Sequence, residues 1–305
     1  MPFRDIYSQQ VTLLIRTLPF VAKEKCFALK GGTAINLFIR DMPRLSVDID
    51  LTFIPILGWP ESLDAIEAAL KRIAGSIRKS MKDARVHEGH MQPQNKITKL
   101  TVRAGEIQIL IEVTPVSRRC IHDPQTMTVS ESVEDTFGFA ETSVVSFSDL
   151  YGGKLVAGLD RQHPRDCFDI RDLFRAEGID DPLRRAFIIY LLGHTRPMHE
   201  VLTARRKDIT QLYERDFVGM TDKPVALNDL ITTREDLVAE IVDKMPEDHR
   251  QFLIGFEQGN PDWKLLGVPA AAELPAVKWR QVNLAKLDTK QRTALVDQLK
   301  AVLKA

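Results

Sequence analysis

The spacing of apolar residues divides the chain into a first half that contains strands and a second half dominated by helices. Apolar positions recur at helical spacing over the first ~25 residues and from Glu61 to about Ala84. Short apolar or alternating runs predict strands at residues 26–29, 47–53, 97–102, 107–113 and 142–147. From Ser148 onward, helical patterns interrupted by prolines dominate. We therefore predict an α+β fold, with a mixed-sheet domain in residues 1–147 and a mainly helical domain in residues 148–305.

A pair of glycines follows the first predicted strand. Gly31 and Gly32 end the apolar run, and Thr33 then occupies the position of an N-cap before a helical pattern. Glycine lets backbone N–H groups approach an anion closely, and the start of a helix favours phosphate. The pattern indicates a turn that binds a triphosphate, although an ordinary strand–turn–helix corner shares it.

Two aspartates lie one residue apart in the next predicted strand. Asp48 and Asp50 project to one face of that strand, and the apolar residues between and beside them face the core. Neighbouring carboxylates repel each other, and a bound Mg²⁺ or Mn²⁺ removes that cost while also taking phosphate oxygens as ligands. We predict a metal site here; the alternative is the charged solvent face of an edge strand.

A third acidic residue, Glu112, lies in the apolar strand predicted at residues 107–113. A single charge in an apolar run is costly unless it is paired or coordinated. Glu112 is therefore either a further metal ligand or the partner of Arg118 or Arg119 at the end of the strand.

The helical half adds a lysine and two aspartates. Lys154 and Arg161 are seven residues apart and share one face of a helix that Ser148 is predicted to cap. In the next helix Asp166 and Asp169 share a face. Lysine suits phosphate oxygens, so the pattern is compatible with a nucleotide site. The alternative is a surface helix in which Asp169 pairs with an arginine four residues earlier.

These motifs together resemble those of a known family. The Gly31–Ala34 turn followed by Arg44-x-Ser46-x-Asp48-x-Asp50 resembles the first motif of the minimal nucleotidyltransferases, and more narrowly of the AbiEii/AbiGii toxins, which include the MenT-type toxins. Segments 154–161 and 165–170 resemble the later motifs of that family, in the same order. The resemblance implies a polymerase-β-like palm domain in the first half of the chain.

The resemblance also implies a function. It implies a toxin of a toxin–antitoxin or phage-defence system that transfers a nucleoside monophosphate from an NTP to an acceptor, often RNA such as a tRNA 3′ end. The implied catalytic and metal residues are Asp48, Asp50 and Glu112, with Lys154 and either Asp166 or Asp169. The implied nucleotide-binding residues are Gly31, Gly32, Thr33, Arg44, Ser46, Lys154 and Arg161. An antitoxin encoded nearby is implied as a partner, with or without direct binding.

Composition limits the other possibilities. The formal net charge of zero removes any whole-protein attraction to nucleic acid, which leaves local basic runs at residues 118–119, 184–185 and 205–207. Three widely spaced cysteines without a CxxC pair support neither a disulfide framework nor a structural zinc site. The start lacks a signal-peptide pattern, and the apolar runs are shorter than a membrane span. We therefore expect a cytoplasmic protein with no membrane contact.

Two alternatives to a nucleotidyltransferase remain at this point. Asp48-Ile49-Asp50-Leu51-Thr52 also satisfies the DxDxT pattern of haloacid-dehalogenase-type phosphohydrolases, in which the first aspartate is the nucleophile. The preceding glycine turn and the following hairpin around Gly105 argue against the parallel sheet of that family. The other alternative is a binding protein whose nucleotidyltransferase site is inactive.

Overall fold

Seven strands form one mixed sheet within the residues that the structure, a computed structural model, describes, namely 5–116 and 119–304. They are β1 (Phe27–Lys30), β2 (Asp48–Phe53), β3 (Ala84–Met91), β4 (Lys96–Ala104), β5 (Ile107–Val113), β6 (Gln125–Thr128) and β7 (Glu141–Val144). Their order across the sheet is β3-β4-β5-β2-β1-β7-β6. Strand β2 is parallel to β5 and antiparallel to β1, and β1 is parallel to β7. The hairpin of β4 and β5 is antiparallel, as predicted.

Helices flank and follow the sheet. In the first half they are α1 (Asp5–Val21), α2 (Gly31–Ala34), α3 (Trp59–Ser80) and α4 (Glu131–Phe137), and α5 (Phe147–Asp160) leads into the second half. Helix α2 continues as a π-helical turn, Ile35–Ile39. Helix α3 packs on β3 and β4, and its buried stripe, which includes Leu63, Ile66 and Leu70, meets the apolar face of the sheet. Alternate residues are buried on that face in β5 and in the second half of β4, where Leu100 and Val102 are buried, so the other face carries the polar side chains.

The second half of the chain is helical. Its helices are α6 (Pro164–Ala176), α7 (Asp181–Leu192), α8 (Met198–Thr203), α9 (Thr210–Asp216), α10 (Leu227–Val238), α11 (Glu247–Glu257), α12 (Trp263–Leu266), α13 (Pro275–Ala285) and α14 (Thr289–Leu303). A π-helical turn, Ala239–Asp243, follows α10, and a 3₁₀ turn, Pro269–Glu273, precedes α13. A mixed sheet followed by a largely helical region confirms the predicted α+β fold. Within the described residues, no helix is both long and apolar enough to cross a membrane.

The chain separates into two compact units. The first comprises Met1–Leu150 and Val218–Pro224, and the second comprises Tyr151–Phe217 and Val225–Ala305. No local sequence pattern predicts that Val218–Pro224 returns to the first unit. The backbone N–H of Leu45 donates to the carbonyl of Met220 at 2.7 Å and ties this segment to the chain just before β2.

Two element boundaries differ from those predicted from the sequence. Helix α3 ends at Ser80 rather than near Ala84, because Ala84 begins β3. Helix α5 begins at Phe147, so Ser148 is not its cap. The backbone N–H of Asp149 donates to Ser146 Oγ at 3.1 Å, and this hydroxyl satisfies the helix start instead.

Candidate active site

The glycine turn lies directly against predicted site residues. Gly31 has φ +74°, and a Cβ built on it would lie 2.4 Å from Asp50 Oδ2. A Cβ on Gly32 would lie 2.8 Å from Arg44 Nη2 and 2.9 Å from Ser46 Oγ. A side chain at either position would therefore displace the charged and hydroxyl groups packed against the turn, and at Gly31 it would also strain the backbone. Helix α2 begins at Gly31 with Lys30 as its N-cap, so the predicted N-cap at Thr33 is wrong.

The hydroxyl of Thr33 has an internal role instead. It donates to the backbone carbonyl of Asp48 and lies 3.0 Å from the hydroxyl of Ser46. One hydroxyl carries one proton, so Ser46 supplies the proton of the second hydrogen bond. Thr33 is buried at 1% exposure, and it joins the start of α2 to the first residue of β2. This contact fixes the glycine turn relative to the aspartates.

The three carboxylates lie on the same, polar face of the sheet. Asp48 and Asp50 are half-buried, whereas Ile49 and Leu51 are fully buried on the opposite face, as predicted. Strand β5 runs parallel beside β2, and its register places Glu112 directly opposite Asp50. The backbone thus brings together three residues that are up to 64 positions apart in the sequence.

Two lysines that sequence reasoning missed flank this acidic pair. Lys30 on β1 is the register partner of Asp50, and Lys99 on β4 is the register partner of Glu112. The four residues form one row across four strands, with charges in the order plus, minus, minus, plus. Lys99 Nζ lies 3.4 Å from Glu112 Oε2. Lys30 Nζ contacts the hydroxyl of Thr114 at 3.4 Å.

Among residues 5–116 and 119–304, Glu112 therefore forms its ion pair with Lys99. The sequence had suggested Arg118 or Arg119; Arg118 lies outside the described residues. The side chains of Lys99 and Glu112 are 40% and 42% exposed. A pair this exposed contributes about 0–1 kcal/mol, so Glu112 can exchange Lys99 for another partner at little cost.

The carboxylates fit a divalent cation of one particular kind. Within residues 5–116 and 119–304, no group of three or more His, Cys, Asp or Glu side chains is arranged to hold a metal ion by itself. Mg²⁺ commonly takes only one or two carboxylates and completes its shell with water and substrate phosphate. Asp48 and Asp50, on one face beside a glycine turn that leaves space for them, match that donor set.

The predicted residues of the helical half form a buried ionic cluster. Lys154 Nζ lies 2.8 Å from Asp166 Oδ1 and 2.9 Å from Asp169 Oδ2. Arg161 also binds Asp166, with Nε at 2.5 Å and Nη2 at 2.9 Å. The side chains of Lys154, Asp166 and Asp169 are 6%, 1% and 0% exposed. The alternative of a solvated surface helix is therefore wrong for α6.

Electrostatics in this cluster favour the ionised carboxylate. Burial alone would raise the pKa of the Asp166 carboxyl, but the charges of Lys154 and Arg161 and their hydrogen bonds outweigh it. The pKa of Asp166 therefore lies well below its usual value. Lys154 binds both aspartates in this structure. Its contact with a triphosphate stays a prediction.

A histidine caps the helix that carries the two aspartates. His163 Nδ1 accepts a hydrogen bond from the backbone N–H of Arg165 at 3.1 Å, and Pro164 occupies the first turn as predicted. Burial, with the nearby charge of Arg165, lowers the pKa of His163 to about 4. His163 is thus neutral near pH 7, and its unprotonated Nδ1 remains available as the cap acceptor.

Most residues of the basic runs in the helical half are engaged in internal contacts. Arg184 is 8% exposed and donates to the carbonyl of Glu240. Its neighbour Arg185 pairs with Asp181 at 2.6 Å. Arg206 pairs with Glu235, and Lys207 Nζ donates to a backbone carbonyl. These contacts favour the interpretation of the runs as structural rather than as RNA contacts.

Comparisons with known proteins identify a family and a similar fold. The family model described as "Nucleotidyl transferase AbiEii toxin, Type IV TA system" matches residues 12–279. The fold is similar to the solved structure of MenT4, a nucleotidyltransferase toxin from Mycobacterium tuberculosis H37Rv, with a TM-score of 0.61. The two chains are 17% identical, and the match covers 98% of this chain and 94% of the other. No curated protein sequence matches the chain.

Proposed function

The chain belongs to the AbiEii family of nucleotidyltransferase toxins of type IV toxin–antitoxin systems, and we propose that it transfers a nucleoside monophosphate from an NTP to RNA. The acceptor we propose is the 3′ end of an RNA such as tRNA. The first unit acts as the palm domain in this proposal, which specifies no particular base of the NTP.

One observation carries the proposal. The register of β2 and β5 sets Asp50 opposite Glu112, while Gly31 leaves room for the Asp50 carboxylate at the start of α2. A phosphate-binding turn and a set of carboxylates are the two parts that phosphoryl transfer needs, because its catalysis consists mainly of positioning and charge neutralisation. Arg44, buried at 2% exposure beside Gly32, adds a fixed cation to the same turn.

The proposed reaction is an in-line displacement at the α-phosphorus of the NTP. The terminal hydroxyl oxygen of the acceptor forms the new bond to phosphorus. The bond from phosphorus to the oxygen that bridges to the β-phosphate breaks, and pyrophosphate leaves. Glu112, 42% exposed and weakly paired with Lys99, takes the proton of the attacking hydroxyl.

Asp48 and Asp50 would hold a Mg²⁺ or Mn²⁺ ion. When bound, such an ion neutralises charge on the phosphate oxygens. Thr33 and Ser46 keep the backbone of Asp48 at a fixed position relative to the glycine turn. In this proposal the two hydroxyls therefore position the nucleotide indirectly, because they fix the backbone of Asp48, and they also contact the nucleotide itself.

A toxin–antitoxin system implies an antitoxin for this chain. We propose that the antitoxin is encoded nearby and acts with or without direct binding. The phosphohydrolase alternative is not supported, since β1 is antiparallel to β2 and the chain belongs to a nucleotidyltransferase family.

The proposal is tested with the purified protein, Mg²⁺ and each α-labelled NTP, together with total RNA or cell lysate. We expect label in RNA for at least one NTP, and loss of at least ~100-fold of the rate in Asp48→Ala. The matched control is Asp64→Ala, which removes an exposed surface carboxylate of α3 that pairs with Lys96. Growth inhibition that persists in a folded Asp48→Ala variant would instead indicate a toxin that acts by binding alone.

A further inference from the structure

The polar face of the sheet continues beyond Glu112 across β4 and β3. On β4, Lys99, Thr101 and Arg103 share the face of Glu112, because they alternate with the buried residues Leu100 and Val102. On β3, His87 and Arg85 are the register partners of Thr101 and Arg103. These side chains are exposed or half-exposed.

The basic groups on this face are available to an anion. The side chains of Lys99 and Arg103 are 40% and 47% exposed, and their acidic partners, Glu112 and Glu106, lie at 3.4 and 3.3 Å. Exposed pairs of this kind contribute about 0–1 kcal/mol, so a phosphate can replace Glu112 or Glu106 as the partner of the basic side chain. Arg85 is exposed beside them on β3.

A cavity marks the far end of this face. Its volume is about 470 Å³, and its lining is Asp83, Arg85, His87, Arg103, Gly105 and Glu106. Asp83 is itself paired with Arg16 at 3.0 Å, a residue outside this lining, whereas Glu106 is paired with Arg103 of the lining. The cavity therefore offers Arg85 and His87 to a ligand, and also Arg103 when the ligand replaces Glu106 as its partner.

The order of the strands places this basic face on the acceptor side of the carboxylates. The glycine turn follows β1, which lies on one side of β2, whereas β5, β4 and β3 lie in turn on the other side. Adjacent strands are about 4.8 Å apart, so Lys99 lies about 10 Å from Asp50 across the sheet, measured between backbones. Gly89 opposite Lys99 leaves space for the lysine stem: a Cβ there would lie 3.2 Å from Lys99 Cβ.

We propose that Lys99, Arg103 and Arg85 bind the phosphate backbone of the nucleic-acid acceptor and so bring its terminal hydroxyl to Glu112. The inference rests on the proposed function and adds to it a location for the acceptor strand. The charge complementarity selects a polyanion with regularly spaced phosphates rather than a protein acceptor. Lys99, released by Glu112 when the acceptor arrives, binds the phosphate nearest the reacting end.

The test compares two variants that remove one positive charge from the same strand. Lys99→Gln changes the proposed acceptor face. Lys96→Gln is the matched control, because Lys96 points to the other side of β4 and pairs with Asp64 and Glu67 of α3 at 2.7 and 3.0 Å. Arg85→Gln and Arg103→Gln are tested as well. Thermal unfolding is measured first, to establish that each variant unfolds at the same temperature as the wild type.

Steady-state transfer is then measured with bulk tRNA that has a free 3′ end, at several salt concentrations. We expect Lys99→Gln to raise the KM for tRNA roughly tenfold, with the KM for NTP unchanged. The slope of log KM against log salt falls by about 0.7–0.9 for each lost phosphate contact. Arg103→Gln and Arg85→Gln have smaller effects of the same kind, and Lys96→Gln has none.

Several outcomes overturn the inference. One is that Lys99→Gln and Lys96→Gln behave alike while the wild-type protein labels RNA, in which case the proposed function stands alone. Another is a loss of kcat in Lys99→Gln without any change in KM or salt slope, which indicates that Lys99 only orients Glu112. If the wild type labels no RNA, fluorescence anisotropy with the same tRNA decides the inference independently, since equal affinity of the wild type and Lys99→Gln then excludes it.

Discussion

Replacement of Lys154 by methionine tests whether the buried cluster of the helical half holds this unit together. Methionine keeps much of the volume of the lysine side chain but removes its charge. In the wild type, Lys154 Nζ lies within 2.9 Å of carboxylate oxygens of both Asp166 and Asp169, and all three side chains are at most 6% exposed. The substitution therefore leaves two buried carboxylates without the ammonium ion that lies between them.

The cost follows from the burial of these groups. Removal of one partner of a buried ion pair typically destabilises a protein by about 3–5 kcal/mol, because an uncompensated charge remains. Arg161 still binds Asp166 after the change, but its side chain is 64% exposed, so it compensates only in part. We expect a loss near 3 kcal/mol, and hence a fall of roughly 6–12 °C in the unfolding midpoint of a unit of this size.

The assay is thermal unfolding followed by tryptophan fluorescence. Trp263 belongs to the same unit and packs edge-on against Phe252, with ring centroids 5.1 Å apart, so its emission reports on the unfolding of that unit. The double variant Lys154→Met/Asp169→Asn serves as the control, because it restores the charge balance. It should recover about 1–2 kcal/mol relative to the single variant.

The pH dependence supplies a second check. The pKa of Asp166 is lowered in the folded wild type, so its contribution to stability is present above the unfolded pKa near 3.9 and is lost as the pH falls below it. Without Lys154, the buried carboxyls gain stability when they are protonated. The difference between wild type and Lys154→Met should therefore shrink from pH 7 towards pH 3. A difference that does not change with pH, or a double variant no more stable than the single one, would refute the reasoning.

Two further predictions follow from the described contacts. Gly31→Ala should abolish measurable nucleotide transfer, because its Cβ meets Asp50 Oδ2 at 2.4 Å; Gly178→Ala, which has the same φ of +74° but nothing within 4 Å, should lose ~1 kcal/mol of stability and keep its activity. Equal activities of the two variants in the labelling assay would contradict this. The pKa of His163 is lowered to about 4, so its contribution to stability is present above the unfolded pKa near 6.5 and declines as the pH falls from 6.5 to 4. His163→Asn, which keeps a cap acceptor, should flatten the urea-unfolding stability profile in that interval, and an unchanged profile would exclude this assignment.

Local patterns predicted those parts of the fold in which each strand has its own signal. Strands β2 and β5 have regularly alternating or apolar runs, so the side of the sheet on which Asp48, Asp50 and Glu112 lie could be predicted from the sequence. Strand β3 was missed because half of its residues are polar and only Val86 is buried, and a helical pattern precedes it directly. The N-cap at Thr33 was wrong because the helix starts two residues earlier, at a glycine with positive φ.

The partners of the site residues could not be predicted, since they depend on register between distant strands. Lys30 and Lys99 are 69 positions apart, yet one row of the sheet places them at either end of Asp50 and Glu112. Nothing in the local sequence of either lysine distinguishes it from an ordinary solvent-facing residue of a strand. Burial of Asp166 and Asp169 likewise follows from packing within the helical unit, not from the spacing of the two residues.

The place where an acceptor can bind depends on which basic side chains are already engaged in internal contacts. A chain of zero formal charge gains affinity for RNA only from local clusters whose cations are not already committed to internal partners. In the helical half, Arg184 is buried, and Arg206 makes forked hydrogen bonds to both carboxylate oxygens of Glu235, so these two positions offer less to a phosphate than a lysine with one long contact does. On the sheet, Lys99 and Arg103 keep 40% and 47% of their side-chain surface exposed and have only weak partners. Few phosphate contacts then support binding, so transfer to RNA should depend on salt much less steeply than in proteins that grip many phosphates, and positioning of the acceptor end must contribute more to specificity than bulk attraction does.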